Sequence, residues 1–350
     1  MRAAPLVDGH LDLAESVTLF GRDLTQSVAA IRAVQRHGEW QATVSLPELE
    51  RGGIAVVLAT VTAGFLEADV GPDFQPRSAI YSTPEEAEAQ ALTQIGLYRR
   101  WQSEGRVRLL MSSSDLEHHL DLWRADGKPG LVLLMEGADP IVQVSDLEDW
   151  WRRGLRIVGL TFGDTRYGTG ARGSVEAGPD GLSADGTALL SLMAELGFAW
   201  DVSHLAEQGI WEGLDLGFPR VCASHANARA LTPATRHLSD PVIQAIGQRN
   251  GVIGVVLYNG FLEPAWSADR PIPITVDVHV RRHLTHIAGI AGWASVGIGS
   301  DLDGGFGREE APEEVDTIAD LRAVGAAVPD EFRDAVLGGN WLDFLRSALP

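Results

Sequence analysis

The chain has 350 residues, 45% of them hydrophobic and 22% charged, and a formal net charge of −20. That length and composition suit one large globular domain or two ordinary ones, and so negative a field repels phosphate backbones, which argues against nucleic acid as a partner. One cysteine, Cys222, rules out a disulfide framework and a cysteine-based zinc site; no apolar run is long enough to span a bilayer and no signal-peptide core opens the chain, so no membrane partner is expected and the default location is the cytoplasm.

Short runs rich in Val, Ile and Leu recur between longer helical patterns. In chain order they are Pro5–Val7, Ile54–Val61, Gly130–Met135, Ile157–Thr161, Phe198–Val202, Arg220–Ala223, Val252–Leu257 and Val296–Gly299. Continuous apolar runs predict strands buried on both faces, as in a parallel sheet. Pro84–Trp101 reads as a helix, with Thr83 as its N-cap and Pro84 at its first position. Gly186–Leu196, Ser239–Arg249 and Ile274–Ala291 read the same way, and the acidic stretches Pro312–Val324 and Pro329–Leu349 are expected to be closing helices. Strand and helix alternating eight times fit an α/β chain forming a single (β/α)8 TIM barrel over residues 1–350, with an open doubly wound sheet as the alternative. Gly64–Ser82 and the Gly-rich Arg166–Gly186 read as long loops over the barrel mouth.

The polar residues that end the runs carry the chemistry. The first run ends in Asp8-Gly9-His10-Leu11-Asp12, the third in Glu136-Gly137 and the fifth in Asp201-Val202-Ser203-His204. The sixth ends in Ser224-His225-Ala226-Asn227, the seventh in Tyr258-Asn259 and the eighth in Ser300-Asp301-Leu302-Asp303-Gly304. Strand C-termini of a barrel all point at one mouth, so residues distant in the chain converge there. Three imidazoles and two carboxylates, His10, His204, His225, Asp12 and Glu136, suit Zn²⁺ or a related divalent cation. Two such cations about 3.5–4 Å apart can hold a bridging hydroxide and polarise a carbonyl. The sole lysine, Lys128, precedes the third strand and cannot supply a carboxylated-lysine bridge at its far end, which leaves Glu136 as the natural bridge. Asp301 comes directly off the last apolar run and is placed to accept a proton from bound water; Asp303 is its rival, otherwise a turn cap. His279, His283 and His286 have helical spacing on an element leading into the last strand and read as a structural face. His118 and His119 read as solvated, His237 as a neighbour of Arg236 within reach of substrate, and Cys222 as inert packing.

Asp8-Gly9-His10-x-Asp12, Glu136-Gly137, Asp201-x-Ser203-His204, Ser224-His225-x-Asn227-Ala228-Arg229, Gly299-Ser300-Asp301-x-Asp303-Gly304 and Gly338-Gly339-Asn340-Trp341-Leu342 together resemble the membrane (renal-type) dipeptidases, peptidase family M19. The resemblance spans nearly the whole chain in the right order. It implies a (β/α)8 barrel with two zinc ions that hydrolyses dipeptides through a metal-bridging hydroxide. Carried over by position, His10, Asp12 and Glu136 would hold one metal, Glu136, His204 and His225 the other, and Asp301 would be catalytic. Arg236 would grip the substrate carboxylate and Tyr258 would contact substrate. A homo-oligomer is consistent with the family, although no sequence feature demonstrates one. The chain departs from the family after the fourth strand. The family's Leu-Thr-His, whose histidine helps hold substrate and developing oxyanion, is here Leu160-Thr161-Phe162, and phenylalanine donates no hydrogen bond. Arg166, Tyr167 or the Gly-rich loop are candidate substitutes. Another small amide, an N-acyl amino acid or a lactone is therefore the alternative substrate, and a metal- or ligand-binding barrel without turnover the third reading.

Overall fold

The computed structural model describes residues 4–35, 39–64, 81–171 and 181–350. Most of the expected Gly64–Ser82 loop and the middle of Arg166–Gly186 lie outside the described residues. Eight strands fall on the eight apolar runs: β1 (Leu6–Leu11), β2 (Ile54–Thr62), β3 (Gly130–Glu136), β4 (Leu155–Gly159), β5 (Ala199–Asp201), β6 (Val221–Cys222), β7 (Ile253–Val255) and β8 (Val296–Ile298). Strands β1 to β6 pair in chain order, all parallel, and a two-residue strand, Arg108–Leu109, adds beside the start of β3. Strands β7 and β8 pair with each other. A bridge from Ala223 to Ile253 joins β6 to β7. The Asp301 amide donates to the His10 carbonyl at 3.3 Å, from the end of β8 across to β1. The sheet thus curls back on itself as a (β/α)8 barrel.

The local sequence explains the elements. Every residue of β2 and β3 is buried, as strands covered by helices outside and packed side chains inside must be. Helix Pro84–Ser103 begins where Thr83 accepts from the Glu86 amide, and Ser45, Ser112 and Ser183 cap three further helices in the same way. Trp341, from the helix Asn340–Ala348, closes the wall beneath β1 and β8. Its indole N–H donates to the Ile298 carbonyl at 3.0 Å. A Cβ on Gly9 or Gly297 would meet that indole at 2.5 or 2.4 Å, so both strands need glycine there.

Three expectations are corrected. The expected helix over Pro312–Val324 is a turn as far as Thr317, and a 3-10 helix follows over Ile318–Ala327. Its start is fixed by the Thr317 and Asp320 capping box, which the acidic composition of the stretch obscures. The expected helix over Pro329–Leu349 breaks into a 3-10 turn, a wider turn at Ala335–Gly339 and the helix Asn340–Ala348. Gly338 lies so close to β1 that a Cβ would stand 2.4 Å from the Pro5 carbonyl, and this approach sets the break. His119 is not solvated; it is buried with Nε2 donating to the Ala55 carbonyl at 2.8 Å, while His118 is exposed.

Burial pushes the His119 imidazole down to about 4. An unfolded chain protonates this histidine below about 6.5 while the folded one stays neutral to about 4, so the unfolded state binds more protons in that window. Stability is therefore complete at neutral pH and falls as pH drops through it. His119→Gln, which keeps a donor, is expected to lose about 2 kcal/mol less stability than the parent between pH 7 and pH 5 in denaturant titrations. Equal losses would contradict this assignment.

Candidate metal centre

Period-two alternation on β1 sends Asp8, His10 and Asp12 to one face, the barrel interior. Glu136 ends β3, and His204, His225 and Asp301 follow β5, β6 and β8 within a few residues. The structure brings all five expected ligands to one mouth. Glu136 Oε1 lies 3.4 Å from His10 Nε2, 3.1 Å from His204 Nε2 and 3.4 Å from His225 Nε2. His10 Nε2 is 3.6 Å from Asp12 Oδ1. Two triads have ligand atoms within 4.8 Å of one another, His10 with Asp12 and Glu136, and Glu136 with His204 and His225. A third combination, His10, His225 and Asp301, meets the same limit.

A buried network sets the tautomers. The Ser224 hydroxyl donates to Asp201 Oδ2 at 2.5 Å, so its oxygen must accept from His10 Nδ1 at 3.0 Å and His225 Nδ1 at 2.8 Å. Both rings then direct an Nε2 lone pair inward. His10 Nε2 is buried with no hydrogen-bond partner, although it faces carboxylates on two sides. Thr60 Oγ1 donates to Asp12 Oδ1 at 2.5 Å and holds that carboxylate in place. Asp8 accepts from the Ser300 amide and hydroxyl, and burial raises its carboxyl to about 6. Sequence reasoning gave Thr60, Ser224 and Asp8 no role, because their partners lie far along the chain.

The electrostatics demand positive charge. Burial lowers the basicity of His10, but the Glu136 and Asp12 carboxylates outweigh it and lift the ring well above the ordinary imidazole range. Burial also opposes the charge on Glu136, yet His10 and His204 hold it well below the usual carboxylate range. His225 is pushed far down by burial and then by its cationic neighbours. Three ring nitrogens and two carboxylates crowded this closely in a buried site, where protons alone must hold them together, fit divalent cations. Asp301 is raised well above the carboxylate range by burial, and the Asp12 and Glu136 charges add to this. His204, Asp301 and Asp303 have φ of 63°, 60° and 70°. Non-glycine residues in this left-handed region are uncommon and gather at functional sites.

The cluster forms the floor of a cavity of about 560 Å³, whose walls include Phe20, Trp40, Phe162, Tyr258 and Phe306. Arg236 enters from the loop after β6. Its Nη2 donates to the His225 carbonyl at 2.8 Å and stands 3.2 Å from His204 Nε2, while its Nε has no partner. Phe162 stacks on His204 with ring centroids 4.6 Å apart. Of the suggested substitute donors, Tyr167 donates to the Ile141 carbonyl and Arg166 to the Val142 carbonyl and Asp185, while the middle of the Gly-rich loop lies outside the described residues. Asp303 is occupied elsewhere, accepting from Thr43 and the Val44 amide and pairing with Arg22 at 3.1 Å. His283 bonds the Leu262 carbonyl and the Ala228 amide, and His286 pairs with Asp240, as expected of a structural face. His237 is buried against Phe261 outside the cavity lining, and Cys222 is buried in β6. Phe20, Trp40, Phe261 and Phe306 escaped sequence reasoning, and among the titratable lining residues so did Glu15, in the first turn of helix Leu13–Thr18. Its carboxyl is raised by burial and then by Asp12, Glu136 and Asp301.

The model of the membrane dipeptidases, peptidase family M19, matches residues 1–346. The chain belongs to family M19. By that membership it is a metallo-dipeptidase. A metallo peptidase from Rhodobacter sphaeroides, liganded with a phosphinate mimic of the dipeptide L-Ala-D-Ala, superposes with a TM-score of 0.79 at 25% identity, over 99% of this chain and 100% of that one. A protein in the pqqA 5′ region of Klebsiella pneumoniae is 32% identical over 255 residues, 70% of this chain and 90% of its own length. The M19 likeness extends to the dipeptidase aclJ of Aspergillus oryzae, 25% identical over 346 residues, 97% of this chain and 77% of that one. Among the described residues, no helix of this M19 chain is long and apolar enough to cross a membrane.

Proposed function

We propose that this M19 chain hydrolyses the peptide bond of dipeptides with two zinc ions, one held by His10, Asp12 and Glu136 and the other by Glu136, His204 and His225. The observation that carries the reading is the pair of triads sharing Glu136, with inward lone pairs fixed by Ser224. When bound, such cations supply an activated water and polarise the scissile carbonyl. The chain's own residues do the rest. Asp301 lines the cavity beside His10 and His225, where it can take the proton of the attacking water and pass it to the leaving amine. Arg236 lines the cavity, and its guanidinium can fork two hydrogen bonds onto a terminal carboxylate. Tyr258 closes the same wall between Phe261 and Phe306 and offers its hydroxyl to the substrate.

Arg236→Gln is expected to raise KM for dipeptides by about 10–100-fold with a smaller change in kcat, since a charge-assisted pair is lost. A dipeptide with an amidated C-terminus should bind parent and variant equally poorly. Uniform losses on both substrates would remove the assignment.

Phe162 favours a second reading, in which the same cavity takes an N-acyl amino acid, another small amide or a lactone, because it supplies an aromatic wall where the family carries a hydrogen-bonding histidine. Turnover of zinc-loaded protein against a panel of dipeptides, N-acyl amino acids and lactones decides between them. Cleavage of N-acyl amino acids or lactones, with dipeptides untouched, would overturn the dipeptide reading.

A further inference from the structure

We propose that Glu15 reads a cationic side chain, that of lysine or arginine, on the amino-side residue of the dipeptide. The inference rests on the dipeptidase reading and assigns its substrate class.

Four observations carry it. Glu15 lines the main cavity and also borders a second cavity of about 340 Å³, whose wall includes Thr18, Gln90, Thr93 and Gln94. Glu15 and Leu19 thus stand where the two cavities meet, which leaves room beside the carboxyl group for a long side chain. The Glu15 carboxylate has no hydrogen-bond or ion-pair partner among the described residues. It belongs to none of the ligand clusters whose atoms lie within 4.8 Å of one another, so it stands outside the ring that can hold cations. It also lies on the opposite flank from Arg236. Glu15 follows Asp12 by one helical turn, beside the first triad, while Arg236 touches His204 and the His225 carbonyl of the second.

A dipeptide with its carboxylate on Arg236 and its amide over Glu136 sends its amino-side residue toward Asp12 and Glu15. The α-ammonium is two bonds from the scissile carbonyl and stays within the ligand ring. The end of a lysine or arginine side chain lies further out, where Glu15 stands. A partly buried acid with no other partner ionises against a cationic side chain and pairs with it, which a neutral isostere cannot bring about. The net charge of −20 adds a long-range field that gathers cationic substrates in preference to acidic ones.

The test uses two non-hydrolysable phosphinate analogues that differ only in the amino-side side chain, lysyl against norleucyl, bound to the metal-loaded protein in calorimetry. Hydrolysis of Lys-Ala, norleucyl-Ala and Glu-Ala is measured alongside. The expected result is a lysyl preference of at least about 10-fold in the parent, a ratio near one in Glu15→Gln, and a preference for Glu-Ala in Glu15→Lys. Equal binding of the two analogues to the parent would overturn the proposal. So would equal losses for both analogues in Glu15→Gln, which would assign the carboxylate to the α-ammonium they share. If both analogues bind and no dipeptide is cleaved, the dipeptidase reading fails while the binding ratio still decides the role of Glu15.

Discussion

Asp301→Asn is expected to keep its bound cations and lose about 10³-fold in kcat, the size of a lost general acid–base group. Asparagine is the informative replacement for three reasons. It tolerates the left-handed backbone at φ 60°, which alanine would strain. It has nearly the same size, so Gly304, where an added Cβ would come within 1.9 Å of Asp301 Oδ1, still fits beside it. It cannot accept a proton at neutral pH. Metal content by elemental analysis and turnover on a dipeptide are the two readouts. A variant that turns over at the parent rate would remove Asp301 from the reaction. One that loses its cations would make Asp301 a ligand, as the His10, His225 and Asp301 combination allows.

The second large effect is expected at Glu136. Its carboxylate stands in both triads and holds His10, His204 and His225 around one oxygen. Glu136→Gln removes the shared charge and turns an amide toward imidazole lone pairs, so metal content should fall below that of the parent and activity by more than about 10³-fold. A ligand that binds only the folded state raises the melting temperature, so zinc should stabilise the parent and do so much less in the variant. A variant with full metal content and an unchanged zinc-induced melting shift would show that Glu136 does not join the two sites.

The barrel was legible because apolar runs are a local property. A strand buried on both faces must be apolar along its length, and all eight runs became strands. The ligand candidates were legible for a related reason, since a His, Asp or Glu that interrupts such a run at its end is costly to bury without a purpose. What lay beyond the strand ends was not. Glu15 sits one turn into a helix, where a carboxylate is ordinary, and only the folded chain puts it on a cavity wall. Ser224 looked like a spacer beside His225, yet it reaches His10 from 214 residues away. His119 stands beside His118 in an acidic helix, and nothing local distinguishes the buried ring from the exposed one. The closing segments were misread because a capping box and a glycine pressed onto the Pro5 carbonyl, rather than composition, decide where they coil.

The meeting of the first and last strands has a consequence for biosynthesis. Asp8 waits for Ser300, 292 residues later, before its carboxylate is satisfied. Until then a growing polypeptide presents β1 as an open edge, and such edges recruit strands from other molecules. Asp8 and Asp12, carried on or beside that edge, keep it in water and resist such recruitment. Carboxylates that the finished barrel buries are thus charges on an unfinished edge, where charge disfavours such pairing.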